Sequence, residues 1–570
     1  MTRGLCLQQH RRRVSLQSIW SDTVPGRATP HARLQPHLSR RDGLVAALAG
    51  LAALALYLHT LAPTITFANG AGDSGELAAA AYTLGIPHPT GYPLYILLGF
   101  VVTHLGHGEP AFDLNVFSAL MGAAASGLLL LLALCLARRA APTAAWPCAV
   151  AAALVAAASF ALSVNVWTEA VVTETRTLAL ALDALLLVLL VAPSRLSGRL
   201  ALGAAFVYGL ALSDHLLSLS LAPAVILLVF PWARGQPQRW LALLAGLLAG
   251  LSCYLYLPLR ASAHPAANWG DPDTLERFLW LVSGQQYRHE MFGLSAAGVV
   301  GRIGADLGLL GDQLNPTTVG AAVIGTAALL RRQPMVAAAL LLTLALDLVA
   351  AGTYQAPAAP AYLALGALCI CAAAAAGWLV IVGVAVRILD RLRTPRAAFP
   401  LLLLSAIALF GWAEWPAAAA ARQAVAASSS TESRDYGRAV LRSLPHQAVL
   451  FVQREVAADA LWYGQRALRL RPDVTLVVTD LLTFTWYYEQ MRAQPAFDRH
   501  LLPRGGPSIG DSRDFLLAQR RTTLLAQAVL PARPLFAVLP EPGMARLCPQ
   551  FRYGDIFRCV RRAAGRSLPR

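Results

Sequence analysis

Apolar residues run along this 570-residue chain in long unbroken blocks, with neither the alternation of a half-buried strand nor the stripe of an amphipathic helix. Runs of roughly 17 to 25 apolar residues are what a bilayer-crossing helix requires, and the pattern predicts about eleven of them. Their cores lie at 44–62, 114–136, 143–162, 174–192, 199–213, 215–231, 239–258, 315–330, 335–351, 361–386 and 398–415, although 199–231 also reads as one broken element. Beyond the last core the pattern changes. "HQAVLFVQ" (446–453), "DVTLVVTD" (473–480) and "RPLFAVLP" (533–540) have the length and composition of strands, with a helix expected over "AADALWYGQRALRL" between the first two. Strand, helix, strand in that order points to a parallel βαβ unit, and no Gly-rich phosphate loop follows its strands. The expected fold class is a polytopic α-helical membrane protein with a C-terminal extracytoplasmic α/β domain.

Composition agrees: 56% of residues are apolar and 14% charged, against roughly 25% charged in a soluble domain. The formal charge of +16 raises the question of nucleic acid, but the basic residues collect in gaps between apolar runs, where membrane orientation accounts for them. Arg11, Arg12, Arg13, Arg40 and Arg41 precede the first span; Arg138/Arg139, Arg195/Arg199, Arg234/Arg239, Arg331/Arg332 and Arg387/Arg391/Arg393 then occupy every second gap. Positive charge marks the cytoplasmic side, so the N-terminus is expected inside and the chain after the last span outside. This divides the chain into a cytoplasmic, disordered Arg-rich segment 1–43, a multi-span domain 44–415 whose first extracytoplasmic loop is 63–113, and an extracytoplasmic domain 416–570. The expected location is the cell inner (plasma) membrane. The charged leader is too long for a cleaved signal peptide.

On this topology the unusual polar clusters share one face. They are "GDSGELAAAAYTLGIPHPTGYPLY" (72–95), "NVWTEAVVTETRT" (165–177), "LSDH" (212–215), "YLYLPLRASAHPAANWGDPDT" (254–274) and "GTYQAPAAPAY" (352–362). Each also has a plainer reading. Glu169 or Asp271 beside a span end serves as a helix cap or solvated loop residue, His215 beside Asp214 as a pair joining two helices, and Arg260 as an interfacial anchor. The first cluster resists such a reading. Residues 76–86 and 93–105 are apolar, too short to cross a bilayer and broken by "IPHPTGYP", which suits helices lying in or dipping into the interface around a cavity.

These blocks, with "LWYGQRALRLRPDV" (461–474), resemble in order the signature blocks of the membrane family known as domain of unknown function 2723, over roughly residues 44 to 490. The resemblance implies a GT-C-type, and so GT-C-like, glycosyltransferase of the protein O-mannosyltransferase kind. Such an enzyme moves a sugar, mannose being the family's candidate, from a polyprenyl-phosphate carrier to a hydroxyl of a protein or glycan on the extracytoplasmic face. "TETR" and "LSDH" depart from the aromatic and the Asn-His pairing that relatives tend to show, which bears on sugar and acceptor identity.

The residues support that chemistry on their own terms. A hydroxyl attacking an anomeric carbon needs a base for its proton, and a carboxylate does this in an inverting displacement. Asp73 is the candidate base, with Glu76 to orient it or share a divalent ion with it. Arg260, His215 and Arg176 are candidates for the phosphate, and His88 for phosphate, acceptor or a loop cap. Tyr92, Glu174, Asp214, Trp269, Asp271 and Tyr354 complete the candidate donor and acceptor site. No metal is expected, since two carboxylates do not make a metal site and Cys/His ligand spacing is absent, and no cofactor beyond the lipid-linked donor. The partners expected are the carrier, the acceptor and the bilayer. Cys135, Cys148, Cys253, Cys369 and Cys371 read as small hydrophobes, while Cys548 and Cys559 are close enough in sequence to pair. The alternatives are a transporter, which should show internal repeats and polar groups near mid-span, and a non-catalytic envelope scaffold.

Overall fold

The computed structural model describes residues 38–193, 196–291, 293–355, 359–392, 399–453, 455–506, 509–510, 514–538, 551–553 and 556–559. The expectation for residues 1–43 therefore falls almost wholly outside the described residues, as does Cys548, and of Cys559 only the backbone is described.

Helix α1 (Arg40–His59) begins at a capping box, in which the Ser39 hydroxyl accepts from the Asp42 N–H and the Asp42 carboxylate accepts from the Ser39 N–H. Two short helices follow, α2 (Ser74–Thr83) and α3 (Pro93–Leu105). Then come α4 (Pro110–Ala140), α5 (Trp146–Ala161), α6 (Arg176–Val191), α7 (Gly198–Asp214), α8 (Ala222–Ala233), α9 (Pro237–Leu251) and the short α10 (Leu275–Val282). The bundle closes with α11 (Ala296–Leu314), α12 (Pro316–Arg332), α13 (Pro334–Thr353), α14 (Ala364–Arg391) and α15 (Phe399–Ala427). Proline opens α3, α4, α9, α12 and α13, a position where its missing N–H costs nothing and its fixed φ suits the helix.

Among the described residues, six segments are long and apolar enough to cross a membrane, or eight if each of two bent pairs counts as one span. The sequence expectation of about eleven counts apolar helices such as α6 and α7 that stop short of the full crossing length. A multi-pass membrane protein is the result. Helix α4 is its central strut, packed on α1, α5, α6 and α14. At the Arg-bearing end of that strut, Arg138 forms a two-point ion pair with the buried Asp42, which also accepts from the Trp146 indole. An unpaired buried carboxylate there would be costly, so α1, α4 and α5 are tied at one level.

After α15 come α16 (Glu432–Ser443), β1 (Val449–Val452), α17 (Glu455–Trp462), β2 (Thr475–Val478), α18 (Thr485–Arg492), α19 (Phe515–Ala528), β3 (Leu535–Val538), β4 (Phe551–Tyr553) and β5 (Ile556–Cys559). The sheet order is β2-β1-β3-β5-β4. Strand β1 pairs in parallel with β2 and β3, whereas β5 runs antiparallel to β3 and β4. Every residue of β1 is buried, as a central strand covered on both faces requires.

This unit rests on the loop between α1 and α4. Helix α2 is buried at every residue from Ser74 to Ala81, between α3 and α4 on one side and α17 on the other. It therefore lies inside protein, where the sequence pattern suggested an interfacial helix. The contact is close at Gly75, where a Cβ would come within 2.5 Å of the Asp459 carbonyl oxygen. An ion-pair clamp sits beside it: Glu109 takes Arg438 at 2.6 Å and Arg434 at 3.5 Å, and accepts from Thr64 and the Tyr463 hydroxyl.

Candidate active site

The polar blocks that sequence analysis put on one face meet around the N-terminus of α2. Asp73 is the residue before the first turn, and its side chain caps no backbone N–H. With 44% of that side chain exposed, its carboxylate is presented to the space beyond the helix, unlike the buried Glu76 one turn on. Glu76 is spent on His88: one oxygen accepts from the His88 backbone N–H at 2.8 Å, and the other lies 2.5 Å from Nδ1. An ionised Glu accepts only, so Nδ1 carries the proton and the ring is held in one orientation. Nε2 then faces the Tyr92 hydroxyl at 3.1 Å and the Asp73 carboxylate at 3.8 Å. Tyr92 reaches this position because it sits in the left-handed region, φ 40°, at the turn before the proline that opens α3.

Aromatic rings continue from His88 in two directions. On one side Trp269 lies 6.1 Å away, itself against Trp462 and Trp486 of the C-terminal unit, with its indole N–H donated to Gln286. On the other, Tyr92 leads to His215, then Tyr362, then Tyr354, at centroid separations between 5.3 and 5.9 Å. His215 accepts from the Leu217 N–H on Nδ1, leaving Nε2 as the proton-bearing nitrogen of the neutral ring.

Several candidates are engaged otherwise than the sequence suggested. Arg176 is buried between two acids, at 2.8 Å from Glu169 and 3.0 Å from Glu174, with its guanidinium carbon 5.7 Å from the Tyr362 ring. Both acids hold its guanidinium in place. Arg260 donates to the Leu84 and Thr83 carbonyls at the end of α2, while Tyr256 donates to the Gly85 carbonyl. Those bonds satisfy the helix C-terminus, the task a cation there does best. The "NWGDP" stretch and Ala267 before it complete the grip, since the Ile86 N–H donates to the Ala267 carbonyl and the Ile86 carbonyl accepts from the Trp269 N–H. Asp271 belongs to that grip too: at φ 45° it accepts from Asn268 and pairs with Arg277 at 2.8 Å. Asp214 and His215 do not pair, and the buried Asp214 carboxylate has no hydrogen bond among the described residues. Among the described residues, no group of three or more His, Cys, Asp or Glu is placed to hold a metal ion.

Sequence reasoning passed over Glu109, Glu169, Tyr362 and Arg466 as site residues. Glu169 carried a weak signal in the "TEAVVTETR" spacing, and Tyr362 ended a quoted block. Arg466 lay inside the quoted block 461–474 without being singled out, and Glu109 carried no signal, because it matters through residues hundreds of positions away.

Two family models match the chain. The protein O-mannosyl-transferase TMEM260 N-terminal domain matches residues 73–252, and TMEM260-associated domain 2 matches residues 433–503. Mouse protein O-mannosyl-transferase TMEM260 is 26% identical over 466 residues, covering 74% of this chain and 61% of the mouse protein. The protein O-mannosyl-transferase tmem260 of Dictyostelium discoideum is 27% identical over 248 residues, 39% of this chain and 28% of its own. The chain thus spans less than two thirds of the length of these relatives. Among solved structures, ArnT from Cupriavidus metallidurans bound to undecaprenyl phosphate aligns at TM-score 0.42 and 14% identity, covering 78% of this chain and 91% of that one. An Archaeoglobus fulgidus oligosaccharyltransferase tethered to an acceptor peptide aligns at 0.44 and 12%, covering 79% and 68%. Those likenesses are too loose to assign chemistry. The first model begins at the candidate base and the second takes in the helices that cover it, so the chain resembles protein O-mannosyl-transferase TMEM260 on both sides of its candidate active site.

Proposed function

We propose that this protein is an integral-membrane glycosyltransferase, moving a sugar, mannose by its resemblance, from a polyprenyl-phosphate carrier to a hydroxyl of a protein or glycan. The reading rests chiefly on one observation: Asp73 offers a half-exposed carboxylate beside a His–Tyr cluster, and its neighbouring acid is fully occupied. The acceptor hydroxyl gives its proton to Asp73 as its oxygen attacks the anomeric carbon. The bond from that carbon to the phosphate oxygen breaks, the carrier phosphate takes the electron pair, and the anomeric configuration inverts. Glu76 acts at one remove, by fixing His88 against Asp73 and Tyr92. An apolar groove of about 440 Å³, lined by Leu248, Leu251, Tyr254, Leu255, Pro258 and Phe278, is a suitable bed for a prenyl chain. The Arg-bearing ends of the bundle face the cytoplasm and the site faces outward, in the plasma membrane, with the C-terminal unit over it and α6, α7 and the other short helices completing a bundle of about eleven spans.

The test is transfer of label from polyprenyl-phosphate sugars to endogenous acceptors in membranes carrying the protein. Label should reach protein or glycan with the parental chain and fall about 10²- to 10⁴-fold with Asp73→Asn, which keeps shape and removes basicity. No transfer from any such donor by the parental chain sinks the enzyme reading and leaves a transporter or scaffold. Full activity in Asp73→Asn moves the base elsewhere.

A further inference from the structure

A departing phosphate needs a cation with donors to spare, and the two arginines the sequence offered are committed, Arg176 to two glutamates and Arg260 to the end of α2. A third guanidinium stands at the site without such commitments. Arg466 lies on a π-helical turn (Tyr463–Ala467) that continues α17, and π-turns recur where a helix must aim a functional side chain. Its guanidinium stacks over Trp462 at 4.7 Å, and Trp462 packs on Trp269, which packs on His88. It makes no hydrogen bond and no ion pair among the described residues.

Its side chain is half-buried. Burial pulls its pKa down to about 10, with Tyr487, Glu76 and Asp459 pulling the other way. Glu76 is near but holds His88 with both oxygens, so it attracts the guanidinium without filling its donors. Its five N–H donors are held by no acceptor among the described residues and stay open to a ligand, and a planar fork over an indole matches a phosphate. The same helix lies against α2 at Gly75, and its π-turn also packs on α2, which brings the guanidinium within the field of Glu76, one turn from Asp73.

We infer that Arg466 is the phosphate ligand of this site, contributed by the C-terminal unit, and that it binds the phosphate of the lipid carrier. The inference rests on the donor class proposed above. Its chemistry is that of a charge-assisted, two-point hydrogen bond to phosphate oxygens, which neutralises the charge that builds there as the sugar leaves.

The experiment measures binding of polyprenyl phosphate, of the corresponding polyprenol and of inorganic phosphate to the full-length protein in detergent. Parental protein should prefer polyprenyl phosphate to polyprenol by more than tenfold. Arg466→Gln should lower polyprenyl-phosphate affinity by about 10- to 100-fold and leave polyprenol affinity unchanged, because hydrogen bonds to charged groups contribute on the order of 1.5–3 kcal/mol. Arg466→Lys should fall between, keeping the charge and losing the fork. Arg469→Gln, exposed over Tyr82, should keep the parental preference. Being a ratio of two ligands on one sample, the preference does not move when part of the sample unfolds. An unchanged preference in Arg466→Gln overturns the inference and leaves the glycosyltransferase reading intact. Equal binding of phosphate and polyprenol by the parental protein overturns both. Inorganic phosphate binding as tightly as the lipid, and lost with Arg466→Gln, would reassign the site to free phosphate and overturn the lipid source.

Discussion

Asp73 and Glu76 stand one helical turn apart and have opposite tasks, which their surroundings decide. The Asp73 side chain is 44% exposed and caps no N–H, whereas Glu76 is buried with both oxygens on His88. Glu76→Gln keeps the shape but offers an amide NH2 where an acceptor is needed, so His88 loses its fixed orientation. Transfer should then fall by about tenfold to a hundredfold, less than for Asp73→Asn, since the base remains and only its setting is disturbed. Steady-state kinetics on the two variants decide between them: a dead Glu76→Gln beside an active Asp73→Asn would exchange their roles. Of this pair the sequence made the residue types legible, because two acids opening an apolar segment are conspicuous. Which acid is free was not legible, because it depends on a histidine twelve positions away folding back over the helix.

Helix α2 shows how an element is held when its own length cannot hold it. Ten residues are too few for a stable helix in isolation, so packing must supply what propensity does not. Its C-terminus is gripped by Arg260 and Tyr256, and its N-terminal half is pressed on the backbone of α17 at Gly75. Gly75→Leu should drive α17 off the loop, at a cost of about 1–3 kcal/mol or more. Limited proteolysis should then release the C-terminal unit, and transfer should be lost with it. Breaking Arg438 from Glu109 should do far less, because a partly exposed ion pair contributes about 0–1 kcal/mol. If Arg438→Ala loosens the unit as much as Gly75→Leu, electrostatics and not close packing holds it. The same close approach recurs within the bundle, where Gly325 and Gly377 face the backbone of the opposing helix across α12 and α14. Small residues at such crossings are how membrane helices pack without a hydrophobic drive between them.

Over the whole molecule the proposed orientation has a direct check. Reporter fusions after residues 140, 235 and 393 should report cytoplasm, and fusions after residues 270 and 430 the opposite side. Cytoplasmic signal at 430 would place the C-terminal unit on the wrong side for Arg466 to serve the site. Arg138 refines what the gaps mean, since one of these charges also forms the buried pair with Asp42 that ties three helices at that level.

Apolar runs, proline starts and short strand-like segments depend on residues near each other in the chain, and they alone account for the helical bundle, for β1, β2 and β3, and for the parallel pairing of a strand-helix-strand unit. The number of crossings was less legible, since apolar composition does not say whether a helix of 16 residues, such as α6, meets lipid or protein. The one-sided gathering of acids, His and aromatic residues was legible through the arginine gaps. What each charge is paired with was not. Arg176 and Arg260 looked as available as any cation until the fold set Glu169, Glu174 and the carbonyls of α2 against them, and nothing marked Arg466 out from its block until α17 packed on α2. Chain-local pattern decides which segments leave water, because apolar composition alone drives that step. Only contact across hundreds of residues decides what a buried charge faces, and the partner is what makes it a strut or a ligand.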